Sequence, residues 1–296
     1  MSPAIRCVAL SKGFGAVTAL DALTLDVAAG SIVGYLGANG AGKTTTIRLL
    51  LGLLRPDAGR VELLAGDPTR PEARRRVGYL PGELRLDDRC TGGELLDYWG
   101  RLRGGVDAAY RDRLVERFQL DPGRSVRHLS SGNRRKVGLV GAFMARPQVL
   151  VLDEPTNGLD PLVQAEFLAL LQEVRGDGAT VFLSSHVLSE VQRVADRVAV
   201  LRRGRLVHES TVDALRLVAR QPFDVHFDGP APAAALAAVP GLEELRVEGH
   251  HGTWVVTGSL QPLLAVLAAH PVRTLSAPEP DLESAVLALY GGRGTP

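Results

Sequence analysis

Two cysteines, Cys7 and Cys90, are too few for a disulfide framework or a cysteine-based metal centre, which fits a reducing cytosol, and both read as small apolar fillers. Aromatic residues make up 5% of the chain, which argues against the stacking surfaces on which single-stranded nucleic acid lies. The basic excess of a nucleic-acid or acidic-surface binder is also missing, because the formal net charge is only +1. No apolar run approaches the eighteen or so residues that span a bilayer, and no charged-then-apolar leader opens the chain. Any membrane role is therefore expected to be peripheral, through a partner. Lysine is scarce as well: Lys12, Lys43 and Lys136 are the only three, and arginine carries the rest of the positive charge. What remains is ordinary for a globular protein, with 45% hydrophobic residues in 296, enough for one large domain or two.

One of the three lysines stands in Gly37-Ala38-Asn39-Gly40-Ala41-Gly42-Lys43-Thr44-Thr45. The apolar run Ile32–Leu36 precedes it and the helix-periodic run Ile47–Leu51 follows, so the stretch reads as strand, loop, helix. Small residues at Gly37, Asn39, Gly40, Ala41 and Gly42 let backbone N–H groups turn inward, and the next helix offers its unpaired first-turn donors and positive dipole end. That is a hole for a polyphosphate. Lys43 reaches the β- and γ-phosphates, the Thr44 hydroxyl is a ligand for Mg²⁺, and Thr45 adds a further first-turn donor.

Around this loop the pattern is α/β. Ile5–Leu10 and Leu23–Val27 read as strands separated by a flexible loop holding Phe14, whose residue type favours a local core contact. The helix after the phosphate loop is expected to run to about Leu54, followed by strands at Arg60–Leu64 and Val77–Leu80. Thr91 with Glu94 has the spacing of a capping box, and Asp107 caps a second helix. A helical insertion over about 84–145 thus interrupts the α/β pattern, and its last helix is expected to span Arg134–Ala145. Val149–Leu152 is an unbroken apolar run, as in a strand buried on both faces of a parallel sheet, and Asp153-Glu154 follow it. Ligands bind beyond the carboxyl ends of such strands, so the two acids face the phosphate loop if their strands are neighbours. Thr180–Ser184 is a further strand, ending at Ser185-His186.

A break near Arg220-Gln221-Pro222 separates residues 1–216 from a smaller unit at 221–296, in which short strands alternate with helices, the last expected at Leu282–Tyr290. This unit carries no chemical motif. Its adjacent His250-His251 point apart and read as part of a solvated loop.

Five separated segments resemble the ATP-binding-cassette ATPase family: the phosphate loop; Leu129-Ser130-Ser131-Gly132-Asn133, similar to the signature LSGGQ; Val149–Glu154, like its Walker B strand; Asn157-Gly158-Leu159-Asp160, like its D-loop; and Ser185-His186, like its switch histidine. The resemblance implies an α/β P-loop core with a helical insertion, plus a small α+β accessory domain. It implies ATP and Mg²⁺ as cofactors, with Thr44 and Asp153 on the metal, Glu154 as general base, His186 orienting the attacking water, and Lys43 on the phosphates. Phe14 falls where the family stacks an aromatic on adenine. Ser130, Ser131 and Gly132 cap the nucleotide of an opposing copy, so a homodimer, or a dimer with a related ATPase subunit, closes across two ATP molecules.

Two departures stand out. Ser131 and Asn133 replace the signature's glycine and glutamine, and Gly82 stands after Leu80-Pro81 where the family carries a metal-touching glutamine, with Glu83 next to it. The C-terminal unit, with Glu279-Pro280-Asp281-Leu282-Glu283 near its end, is similar to the accessory domain of ATPases that serve two-component drug, antibiotic or lipid exporters. The expected partner is an integral membrane permease, with no nucleic acid, which makes the chain cytoplasmic and peripheral on the inner face of the membrane. The rival is a soluble cassette ATPase acting on ribosomes or DNA; such relatives carry a second cassette or a long coiled coil, and neither is in this sequence.

Overall fold

The opening residues, expected as two short strands and a flexible loop, form one long hairpin in the computed structural model, which describes residues 3–214 and 221–278. Strands β1 (Pro3–Phe14) and β2 (Val17–Ala28) pair antiparallel through several register shifts, and β4 (Ala58–Leu63) adds to the free edge of β1 in the order β2-β1-β4. Alternate residues of the hairpin, Leu10, Leu20, Leu23 and Leu25 among them, are buried.

A second sheet has six strands: β3 (Ile32–Leu36), β5 (Val77–Leu80), β6 (Val149–Asp153), β7 (Thr180–Ser185), β8 (Arg197–Arg202) and β9 (Arg205–Thr211), in the order β5-β6-β7-β3-β8-β9. The pairs β5–β6, β6–β7, β7–β3 and β3–β8 are parallel. Both faces of β3 and β6 are buried, which is why their sequences are continuous apolar runs. Helix α1 (Lys43–Leu50) lies between the two sheets, its Ile47 and Leu50 in one core with Leu23 of the hairpin and Tyr35, Val151 and Phe182 of the parallel sheet. Tyr35 ties α1 to β3 by a buried hydrogen bond with Thr46 at 3.0 Å. The helix stops short of the expected Leu54, because Gly52 turns the chain at φ 66°.

After the short α2 (Pro71–Arg75) and β5, the insertion is helical: α3 (Gly92–Leu102), α4 (Ala108–Arg117), a 3₁₀ turn at Val126–His128, and α5 (Ser131–Phe143). The Thr91–Glu94 capping box and the Asp107 cap form as read from sequence. Helix α5 differs, starting at Ser131 and not Arg134, because the Ser130 hydroxyl accepts from the Asn133 N–H at 3.2 Å and caps it earlier. Helices α6 (Pro161–Gly176) and α7 (Leu188–Gln192) follow β6 and β7.

The chain divides into two compact units, Met1–Glu209 and Ser210–Pro296. In the second, β10 (Gln221–Phe227), α8 (Ala233–Ala237), β11 (Leu242–Glu248), β12 (His251–Val256), α9 (Gln261–Ala268) and β13 (Val272–Ser276) build an antiparallel sheet in the order β11-β12-β10-β13. One face of this sheet packs Phe223, Val225, Phe227 and Trp254 against Leu236 of α8 and Leu263 and Leu267 of α9. His251 opens β12 and does not lie in the expected solvated loop. The helix expected at Leu282–Tyr290 and the Glu279–Glu283 motif lie outside the described residues. Among the described residues no helix is long and apolar enough to cross a membrane.

Candidate functional site

The loop between β3 and α1 is tight at its last turn. Gly42 caps α1 with φ 111°, and a Cβ there would sit 2.5 Å from the Ala19 carbonyl oxygen, so only glycine fits. No side chain caps α1 and its first turn has no acidic residue, which leaves its N–H groups and positive end for an anion. Lys43 is 6% exposed and turns back to donate to the Gly37 carbonyl. Thr44 points the other way, donating to Asp153 Oδ2 at 3.0 Å.

The strands that carry these residues are not neighbours. Strand β7 lies between β3 and β6 and supplies the link the sequence did not signal: the Ser184 hydroxyl donates to Asp153 Oδ1 at 2.5 Å. The same hydroxyl and the Ser184 carbonyl accept from the Glu154 N–H at 3.2 and 3.1 Å. Glu154 is thereby held at φ 48°, a left-handed conformation that an unsupported glutamate avoids. Asp153 is 1% exposed with both oxygens occupied.

Glu154 is where three predicted side chains meet. Its Oε1 lies 3.2 Å from Lys43 Nζ, and its Oε2 accepts a 2.6 Å hydrogen bond from His186 Nδ1. The Lys43 approach is an ion contact off the hydrogen-bond direction, so the buried Oε1 has no hydrogen-bond partner among the described residues. Since a carboxylate only accepts, Nδ1 of the half-exposed ring carries a proton.

The signature segment sits elsewhere in the same unit. Ser130 caps α5, Ser131 and Gly132 form its first turn, and a Cβ on Gly132 would come within 2.7 Å of the D-loop carbonyl of Gly158. Among the described residues none of the three hydrogen-bonds the phosphate loop. One turn along α5, Arg135 is buried at 5% and makes no ion pair among the described residues. Its guanidinium donates to five main-chain carbonyls: Pro81 at 2.7 Å, Gly82 at 2.9 Å, Pro155 at 3.2 Å, Asp153 at 2.7 Å, and Glu154. Burial pushes its pKa down, opposed by the carboxylates of Asp153 and Glu154. Sequence reasoning passed over Arg135 and Ser184; the available signals were three basic residues in a row, Arg134-Arg135-Lys136, leading into the apolar part of a helix and a serine pair at the end of a buried strand.

Gly82 lies against the acid, because a Cβ there would be 3.1 Å from Asp153 Oδ2. Glu83 does not take the place of the missing side chain: it is 88% exposed and lies 3.6 Å from Arg85. Phe14 is not the local core contact its type suggested. It is 49% exposed at the end of β1, with Lys12 Nζ 5.7 Å from its ring centre. Beside α3, a groove of about 390 Å³ is lined by Tyr79, Pro81, Leu84, Trp99 and Leu102.

Residues 20–157 match the family described as ABC transporter. The daunorubicin resistance ATP-binding protein DrrA3 of Streptomyces coeruleorubidus is 44% identical over 220 residues, covering 72% of this chain and 70% of its own. The chain belongs to the ABC transporter family. As a member it is an ATP-binding ABC ATPase subunit. The likeness of this ABC subunit to the Nod factor export ATP-binding protein I of Rhizobium sp. (strain N33) reaches into the second unit, with 32% identity over 298 residues and 97% of both chains covered. A solved ATP-binding subunit of an ABC transporter shares 31% identity, covers 72% of this chain and 91% of its own, and superposes with a TM-score of 0.67.

Proposed function

We propose that this ABC subunit hydrolyses ATP to drive export through a separately encoded membrane permease, working as a head-to-tail dimer. One observation carries the catalytic part: Lys43 and His186 converge on the two oxygens of a single buried carboxylate, Glu154. Lys43 is shared between the Gly37 carbonyl and Glu154 Oε1. A triphosphate in the loop competes for Lys43, freeing Oε1, the oxygen that lacks a hydrogen bond, to accept a proton from water as its oxygen attacks the γ-phosphorus. The bond to the ADP oxygen breaks, and His186 keeps the carboxylate aimed through Oε2. Thr44 and Asp153 supply the hard oxygen donors that suit Mg²⁺, which when bound neutralises phosphate charge. The exposure of Phe14 beside the hairpin turn supports a role in stacking on the base.

The dimer reading rests on the signature turn: the N–H groups of Ser131 and Gly132, in the first turn of α5, have no hydrogen-bond partner among the described residues, so a phosphate bound to a second copy suits them. Export, and not another use of ATP, is supported by the relatives named for daunorubicin resistance and Nod factor export. The apolar groove beside Trp99 and Pro81 is suited to a short permease helix, with the chain peripheral on the cytoplasmic face of the membrane. Glu154→Gln tests the reading: the variant is expected to bind MgATP, to lose hydrolysis by about 100-fold or more, and to dimerise with ATP on sizing. Hydrolysis at the wild-type rate, or a monomer under saturating MgATP, overturns it.

A further inference from the structure

The second unit has no role in the chemistry above, yet one face of its sheet carries side chains of a different kind. Asp224 and His226 stand two residues apart on β10 and so share a face, and the antiparallel register sets His251 of β12 directly opposite His226. The other face is the apolar core of Phe223, Val225 and Trp254. His251 Nε2 is 3.0 Å from Asp224 Oδ1, and His226 Nε2 is 3.8 Å from the same oxygen. The two imidazoles stack with centres 4.3 Å apart and planes 16° from parallel. Three donor atoms, one from each residue, all lie within 4.8 Å of one another.

We infer that Asp224, His226 and His251 form a binding site for a divalent transition-metal ion of the zinc class. Two imidazole nitrogens and one carboxylate oxygen are a donor set that zinc takes, with open positions left for water. Metal–ligand bonds of about 2.0–2.1 Å put neighbouring donors roughly 3.4 Å apart in a tetrahedron. The two separations to Asp224 Oδ1 lie on either side of that value, so ring rotations bring the donors in without moving the strands. The proton that Nε2 of His251 shares with Asp224 is displaced, and Nδ1 takes the proton of the neutral ring. Glu248 stands opposite His251 on the other side of β12, adding negative charge to the same face.

This ion would cross-link β10 to β12, a role distinct from nucleotide hydrolysis. The test uses the full chain, stripped with chelator and titrated with ZnCl₂ by calorimetry without nucleotide. Wild type is expected to take up zinc in the micromolar range or tighter, and His226→Ala and His251→Ala each to lose one equivalent. Any zinc taken up by Glu154 with His186 persists in both variants. Circular dichroism melts of the metal-free variants that match wild type show that the fold is kept, and zinc should raise the melting temperature of wild type more than that of either variant. Asp224→Asn, which keeps the shape but weakens the oxygen donor, is expected to bind at least tenfold more weakly. Wild type that takes up no zinc, or variants that retain the full stoichiometry, overturn the inference.

Discussion

The Thr44 hydroxyl donates to Asp153 at 3.0 Å across 109 residues of sequence and one intervening strand. The bond joins the phosphate loop to the end of β6, and the two oxygens it connects are those proposed for Mg²⁺. Thr44→Val keeps the shape and removes one donor. It is expected to raise the Mg²⁺ concentration for half-maximal hydrolysis by about tenfold, equivalent to ~1.4 kcal/mol, while binding of a fluorescent ATP analogue in EDTA is unchanged. An unaltered Mg²⁺ requirement counts against the assignment of Thr44.

Arg135 draws the signature helix, the Pro81-Gly82 turn and the Asp153–Pro155 turn onto one guanidinium. Lysine keeps the charge but not the fork, so it cannot hold both turns at once. Arg135→Lys is expected to lower kcat about tenfold while leaving the KM for ATP within about twofold, because Glu154 loses its aim and the phosphate loop does not. Arg135→Ala, which also strands buried carbonyls, should cost on the order of 3 kcal/mol of stability in denaturant melts. Steady-state kinetics separate these outcomes; an equal effect of Arg135→Lys on KM and kcat would mean a structural role only.

Gly82→Ala adds one methyl at a place 3.1 Å from Asp153 Oδ2. Neither side yields freely, since Thr44 and Ser184 hold Asp153, and Arg135 holds the Gly82 carbonyl. The variant should therefore lose both stability, by roughly 1–3 kcal/mol, and Mg²⁺-dependent turnover. Thermal melts with and without MgATP read both effects. A variant as active as wild type shows that the turn can move.

The two thiols should behave differently. Burial in the hairpin core pushes Cys7 up to about 12, whereas Cys90 is partly exposed. In the folded chain at pH 8 an aromatic disulfide reagent should titrate one thiol, with the second appearing only in denaturant. Because the folded value lies above the unfolded one of 9.0, the contribution of Cys7 is whole below pH 9 and is lost as pH rises toward 12. Stability should fall in that window by about 1.4 kcal/mol per pH unit for this group, and the Cys7→Ala variant should lack that slope in denaturant melts.

Local pattern carried much of the fold. A buried parallel strand cannot show polar residues on either face, so β3 and β6 were legible as apolar runs, and the helix caps at Thr91 and Asp107 depend on hydrogen bonds within three residues. Chain order did not reveal that β7 separates β3 from β6, because strand order is fixed by crossovers and long-range packing. For the same reason Ser184 and Arg135 went unread: a serine in a strand and an arginine in a helix are common, and only their partners make them part of the site.

The histidines make the point from the other side. Sequence pairs His250 with His251 because they are adjacent, but neighbours on a strand point apart; the fold pairs His251 with His226, its antiparallel partner. What the sequence determined by itself was the strand–loop–helix form of Gly37–Thr45 and the type of most of the described elements, since both follow from residue types at short fixed spacings. Tertiary structure alone decided which groups converge on Asp153 and Glu154, that Glu83 stays in solvent, and which histidine meets which. Those are contacts between residues tens to more than a hundred positions apart, set by the packing of whole sheets.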